Sequence, residues 1–229
     1  MRTWIAGIVV ALGLCLALVA PQAARADTAL GESSWSLEFG TDLGSGSGDY
    51  TIAIRRHSSA STAWRFGVEA QVSKSDGDGS VTETGEPSID ISRFYQDSDV
   101  AFTVHWMRFA QVRDNVTATF AVGAVFQRGR YVDRYDYASF GPPIDQSEYR
   151  TIYSRYGADL RLGVEWFFSR RMSLGGAVGL RAMLGTDTSV SISRNNLGDP
   201  TYYKIESETE TDTRDLDTLP GLIYLTAYF

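Results

Sequence analysis

Apolar and polar residues alternate along this chain with a period of two. Trp35, Leu37 and Phe39 alternate with Ser36, Glu38 and Gly40. Tyr50, Ile52 and Ile54 alternate with Thr51, Ala53 and Arg55. Trp64, Phe66, Val68, Ala70 and Val72 alternate with Arg65, Gly67, Glu69, Gln71 and Ser73. The same pattern returns at 100–106, 119–127, 158–168, 173–184 and 222–229. A period of two is that of a strand with two unlike faces. The pattern therefore predicts an all-β protein with eight strands.

The connections predicted between the strands also alternate in length. After the second, fourth and sixth strands they are short, at 58–63, 111–115 and 169–172. After the third, fifth and seventh they are long and polar, at 74–97, 131–150 and 186–218. The first, at 44–49, is a short Gly/Ser loop. An even strand count with short turns at one end and long loops at the other is the expected grammar of a closed up-and-down barrel that spans a bilayer. In that topology both termini are periplasmic. Trp35, Trp64, Trp106 and Trp166 fall at the periplasmic strand ends, and Tyr50, Tyr95, Tyr131, Tyr153 and Tyr156 near the outer ends. Such sorting suits the two headgroup levels, where amphipathic rings gather. The competing architecture is a soluble β-sandwich or lipocalin-like barrel, and a soluble sandwich has no reason to sort its aromatics this way.

The first 26 residues are predicted to be a cleaved secretory signal peptide. Arg2 supplies the positive start, Trp4 to Ala20 is almost wholly apolar, and Ala24-Arg25-Ala26 is a small-x-small site before Asp27. Residues 27–229 would then be the mature barrel. Cleavage removes Cys15, the single cysteine, and with it any disulfide or thiolate metal site. Loss of Arg2 and Arg25 leaves nineteen basic residues against 28 acids, a formal −9. A sequence-independent nucleic-acid binder needs a basic face, so no nucleic-acid partner is expected.

The most specific segment is the last one, Gly221-Leu222-Ile223-Tyr224-Leu225-Thr226-Ala227-Tyr228-Phe229. A terminal aromatic preceded by apolar residues at every second position, here Ile223, Leu225 and Phe229, looks like the signal read by the outer-membrane assembly machinery. Ala227 departs from that pattern, where a larger aromatic is common. With these residues and the strand pattern, the mature chain resembles the small eight-stranded outer-membrane barrels of the OmpA/OmpX type. The resemblance implies an outer-membrane location, contact with outer-membrane lipid and lipopolysaccharide, and a monomer. Function lives in sites rather than in the fold, and the resemblance leaves it open.

The alternation assigns Glu38, Glu69, Asp159, Glu165, Arg55, Arg65, Arg155, Arg161 and Arg181 to the interior. Eight strands enclose a space just wide enough for side chains, so these charges must pair with one another. Glu69, Asp159 and Glu165 are expected within reach of Arg65, Arg161 or Arg181. The network is either a plug or a gated ion path. An enzyme acting on lipid A or phospholipid would need a nucleophile beside a base at the outer rim. The two histidines, His57 and His105, fall on the periplasmic half instead, and His57-Ser58-Ser59 is suggestive only as letters. No catalytic residue, cofactor or metal site of His/Cys spacing is assigned.

The outer segments carry further candidates. Glu206, Glu208, Glu210 and Asp212 would form an acidic stripe suited to a divalent cation or a basic partner. Both flanks of 195–200 have strand periodicity, which predicts a protruding hairpin, and Pro220 is the place for a bulge that would flip the stripe. Tyr131, Tyr135, Tyr137, Phe140, Tyr149 and Tyr153 make a Tyr-rich region suited to an extracellular ligand or host surface. Asn115-Val116-Thr117 matches a glycosylation triplet but falls in a periplasmic turn. The reading is a monomeric outer-membrane barrel of structural or surface-interaction type. The alternatives are a small gated pore and, behind it, a lipid-modifying enzyme.

Overall fold

The computed structural model describes residues 34–42, 48–81, 89–138, 144–195 and 203–229. The segment expected to be a signal peptide, the 44–47 part of the first loop, Phe140 and the 196–200 part of the expected turn lie outside the described residues. The described chain is eight strands: β1 (Trp35–Asp42), β2 (Gly48–Ser59), β3 (Thr62–Val81), β4 (Ile89–Arg113), β5 (Val116–Ala138), β6 (Ile144–Ser169), β7 (Met172–Asn195) and β8 (Tyr203–Tyr228). Each pairs antiparallel with the next, and β1 pairs with β8 to close the barrel. Closure leaves no open edge in the closed region, as a strand structure in hydrocarbon requires.

The faces are inverted relative to a soluble protein. Outward positions are apolar and exposed: Phe39, Ile52, Phe66, Phe102, Phe126, Val164 and Leu225 all stand open. Inward positions are polar and buried: Ser36, Glu38, Arg55, Thr103, Asp159 and Thr226 are at most 1% exposed. An exposed apolar surface that runs round the whole barrel needs an apolar solvent.

The strand ends differ in kind. At one end β2–β3, β4–β5 and β6–β7 join through tight turns at 60–61, 114–115 and 170–171. At the other end the structure corrects the expected long loops. β3 runs to Val81, β5 to Ala138 and β7 to Asn195, and their partners begin at Ile89, Ile144 and Tyr203. Most of 74–97, 131–150 and 186–218 is therefore paired strand. The reason is physical: outside the membrane both faces meet water, so a polar run no longer argues against a strand. The ladder simply continues the register set below. The segment 203–212, expected to be a hairpin arm, is strand.

β1 and β2 do not share this extension. Their last rungs, Asp42 against Leu222 and Gly48 against Val72, mark the height at which the barrel stops being closed. Above it β3 to β8 continue as a six-stranded curled sheet. The β7–β8 register slips where Ala177 faces Leu222 but Gly179 faces Leu219. One extra β8 residue, at 220–221, makes a bulge. Below it Leu222, Tyr224, Thr226 and Tyr228 face inward, and above it the inward residues have odd numbers. The bulge thus turns Glu206, Glu208, Glu210 and Asp212 to the outer face, opposite Ile192, Val190, Thr188 and Thr186.

Candidate functional site: a layered lumen and an outer aromatic wall

The lumen is built in layers. At the tight-turn end Met107, Phe109, Ala121, Phe167, Tyr228 and Ala63 form an apolar cluster. His57 lies among these rings, 5.2 Å from Phe109 and 5.7 Å from Tyr228 between centroids. The sequence reading missed this stopper. Its signal was available, since Phe109 and Phe167 carry the inward parity of His105 and Glu165.

Above the stopper comes the first charged layer. Glu38 accepts from both Arg55 and Arg65, the latter at 2.9 Å. Arg55 also reaches Glu165 at 2.9 Å, and Glu165 accepts hydroxyl bonds from Ser173 and from Tyr228, the last at 2.6 Å. Glu165 was expected to meet Arg65, Arg161 or Arg181, and the structure corrects this to Arg55. The expectation counted neighbouring strands, whereas the lumen is narrow enough for Arg55 on β2 to reach β6 across it.

The second charged layer joins the first through His105. Arg65 lies 3.3 Å from His105 Nδ1, and His105 Nε2 lies 2.5 Å from Asp159. A guanidinium can only donate, so Nδ1 accepts and the ring proton sits on Nε2, donated to Asp159. Asp159 also pairs with Arg161 at 2.8 Å and Arg181 at 2.9 Å, and both reach Glu69 at 2.5 and 2.7 Å. Four arginines thus face four carboxylates along one connected chain. Arg155 stands higher, paired with Asp187 at 2.7 Å and Asp215 at 2.9 Å. Above the second layer opens a cavity of about 90 Å³ lined by Glu69, Gln71, Asp99, Gln127, Arg161 and Arg181, among others.

Trp35, Trp64, Trp106 and Trp166 all lie toward the tight-turn end and face outward, Trp64 opposite Trp106. Of the five tyrosines expected at the opposite level, Tyr50 and Tyr156 face outward. Tyr95, Tyr131 and Tyr153 face inward, which corrects that expectation. Each sits at odd parity, in step with buried Ala101, Ala121 or Asp159 on its own strand. They line the concave side of the curled sheet. Tyr131 meets Tyr95 edge-on at 5.4 Å and Tyr149 at 6.1 Å. Arg93 grips buried Asp133 with two bonds, at 3.0 and 2.8 Å, and the hydroxyls of Tyr131 and Tyr135 donate to the same carboxylate. The Arg93 bonds hold the Asp133 carboxyl below its usual range.

The remaining candidates are placed as follows. Ile223, Leu225 and Phe229 face outward on the closing strand beside β1. The four acids of the stripe stand in a row, and among the described residues no three His, Cys, Asp or Glu converge to hold a metal ion. His57 faces inward while Ser58 is exposed and bonds Thr62, so the adjacent letters lie on opposite faces of β2. Asn115 sits in a two-residue turn.

No sequence-family model matches the chain, and no curated protein does. Solved structures match at the level of fold. A major outer membrane protein from Thermus thermophilus superposes with a TM-score of 0.54 at 16% identity, covering 86% of this chain and 98% of that one. Acinetobacter baumannii CarO is matched over 89% of this chain and 100% of its own, at 12% identity and a TM-score of 0.41. The fold is that of an eight-stranded outer-membrane β-barrel.

Proposed function

We propose that the protein is an outer-membrane β-barrel of structural or surface-interaction type, with the tight turns in the periplasm and the curled sheet outside the cell. The observation that carries this reading is the layered lumen. A stopper of rings under four arginines and four carboxylates, all paired, fills the bore and leaves the outer sheet as the part free to act. The exposed outward apolar face supports the membrane placement.

A small gated pore is the second reading. It is favoured by the cavity above Glu69, which ends on Arg161 and Arg181. Ion pairs can exchange partners, and opening would require both charged layers and the stopper to part. A lipid-modifying enzyme finds less support. His105 is committed to Asp159 and Arg65, deep in the lumen.

Planar-bilayer recording of the refolded protein separates the first two readings. The plug reading expects no steady conductance from the wild type at neutral pH. Reproducible unitary steps from the wild type would replace it with the pore.

A further inference from the structure

An acidic chain here turns its cations outward on one face. Along β5 the outward residues are apolar from Val116 to Phe126, and the next two are Arg128 and Arg130. Arg128 shares its rung with Val100 of β4 and Ser154 of β6, and Arg130 with Ser98 and Ile152. Both arginines are exposed, and neither guanidinium has a protein partner among the described residues. They stand at the edge of the apolar band, where lipid hydrocarbon gives way to headgroups.

A second tier follows higher on the same face. Glu148 lies between Arg134 at 3.0 Å and Arg150 at 2.6 Å. Arg134, Gln146, Glu148, Ile192 and Arg194 bound a cavity of about 100 Å³ on the outside of the sheet. Val132, outward by parity between Arg130 and Arg134, is only 6% exposed, so this face is covered by the side chains around it. Five arginines on β5, β6 and β7 thus meet Glu148 and Asp136 on the same strands and, at the β8 edge, Glu206, which bonds Lys204 at 2.6 Å and is close enough to feel the charges of Arg194 and Arg150.

We propose that this outward face of β4–β7 is a binding site for a membrane lipid whose saccharide headgroup carries phosphates. Guanidinium forks match phosphate oxygens. Ser98 and Ser154 place hydroxyls beside the first tier. The height of the second tier selects the lipid. Six residues separate Arg128 from Arg134, about 20 Å along a strand and about 15 Å along the membrane normal at a tilt near 40°. A glycerophospholipid headgroup layer adds only about 5–8 Å to each side of the hydrocarbon. It reaches the first tier and not the second. A phosphorylated saccharide headgroup reaches both.

The inference rests on the membrane reading above, and one experiment keeps the two apart. The protein is refolded into phosphatidylcholine vesicles, where insertion is read by protease resistance of the strands. Its unfolding midpoint is then measured in vesicles containing either phosphatidylglycerol or phosphorylated lipooligosaccharide, at matched anionic charge. The wild type should melt several degrees higher with lipooligosaccharide than with phosphatidylglycerol. Arg128→Glu/Arg130→Glu should lose that gain, and Arg134→Gln/Arg194→Gln should fall to the phosphatidylglycerol level. Arg170→Glu/Arg171→Glu, at the tight-turn end, should keep it. Should the reversed pair fail to fold, Arg128→Gln/Arg130→Gln carries the same test. Equal midpoints of the wild type in the two lipids would overturn the site. So would a gain that survives either double substitution at positions 128 and 130. Failure to insert at all would overturn the membrane reading instead.

Discussion

Glu38 is 1% exposed and accepts from two arginines at once. Replacing it by Gln removes the charge that both guanidiniums face. Breaking a buried ion pair in this way costs about 3–5 kcal/mol, because the remaining charge is left uncompensated. Glu38→Gln should therefore lower the unfolding free energy in urea by about that amount. A change under about 1 kcal/mol would show that the pairing is not structural. Gly175 offers a second test of the packed lumen. A Cβ there would run into Cε2 of the Tyr224 ring, so Gly175→Ala forces that ring aside. Overpacking of this kind costs about 1–3 kcal/mol, readable in the same titration. At this scale the inward charges were legible because parity is a local property of each strand. Partner choice across the bore was not. Arg55 reaches Glu165 over 110 residues of sequence, a contact set by barrel diameter rather than by any local pattern.

The outer sheet behaves as an element of its own. Asp133 is held below its ordinary value of 3.8 chiefly by the bonds from Arg93. A depressed carboxyl stabilises the fold at pH above its unfolded value, and that stability is lost as pH falls through the folded value. Amide protection at rungs 93–95 and 131–135, corrected for intrinsic exchange, should thus hold from pH 8 to 5 and fall only below about pH 4. Asp133→Asn should loosen these rungs already at neutral pH and remove the acid dependence. Protection that decays between pH 7 and 5 would contradict the assignment. The β8 stripe gives a further prediction. Glu206 bonds Lys204 at 2.6 Å, while Glu208, Glu210 and Asp212 repel at every second residue, with no metal cluster among the described residues to relieve them. Glu208→Gln/Glu210→Gln should slow amide exchange in 203–212 at low salt, and the gain should vanish near 1 M salt, where charges more than about 3 Å apart are screened. Millimolar Ca²⁺ should mimic the substitution if a divalent cation neutralises the stripe. The membrane-spanning parts of the strands were legible from alternation, which a lipid outside and a polar lumen inside enforce. The extensions were not, because water on both faces removes that constraint. The hairpin arms at 188–194 and 203–212 were the exception, since both kept strand periodicity.

The whole molecule is a short closed barrel carrying a tall open sheet. The barrel architecture was legible from strand count and turn spacing. The outward arginine face was not, because net charge averages it away: an acidic chain hides a basic surface when parity sorts the charges. Orientation is the claim on which the rest depends, and cysteine labelling of intact cells tests it most directly. Single cysteines at Tyr137, on the curled sheet, and at Arg170, in a tight turn, are exposed to a maleimide that does not cross the outer membrane. The account predicts labelling at 137 in intact cells, and at 170 only after the outer membrane is permeabilised. Labelling at 170 in intact cells, with 137 protected, would contradict it.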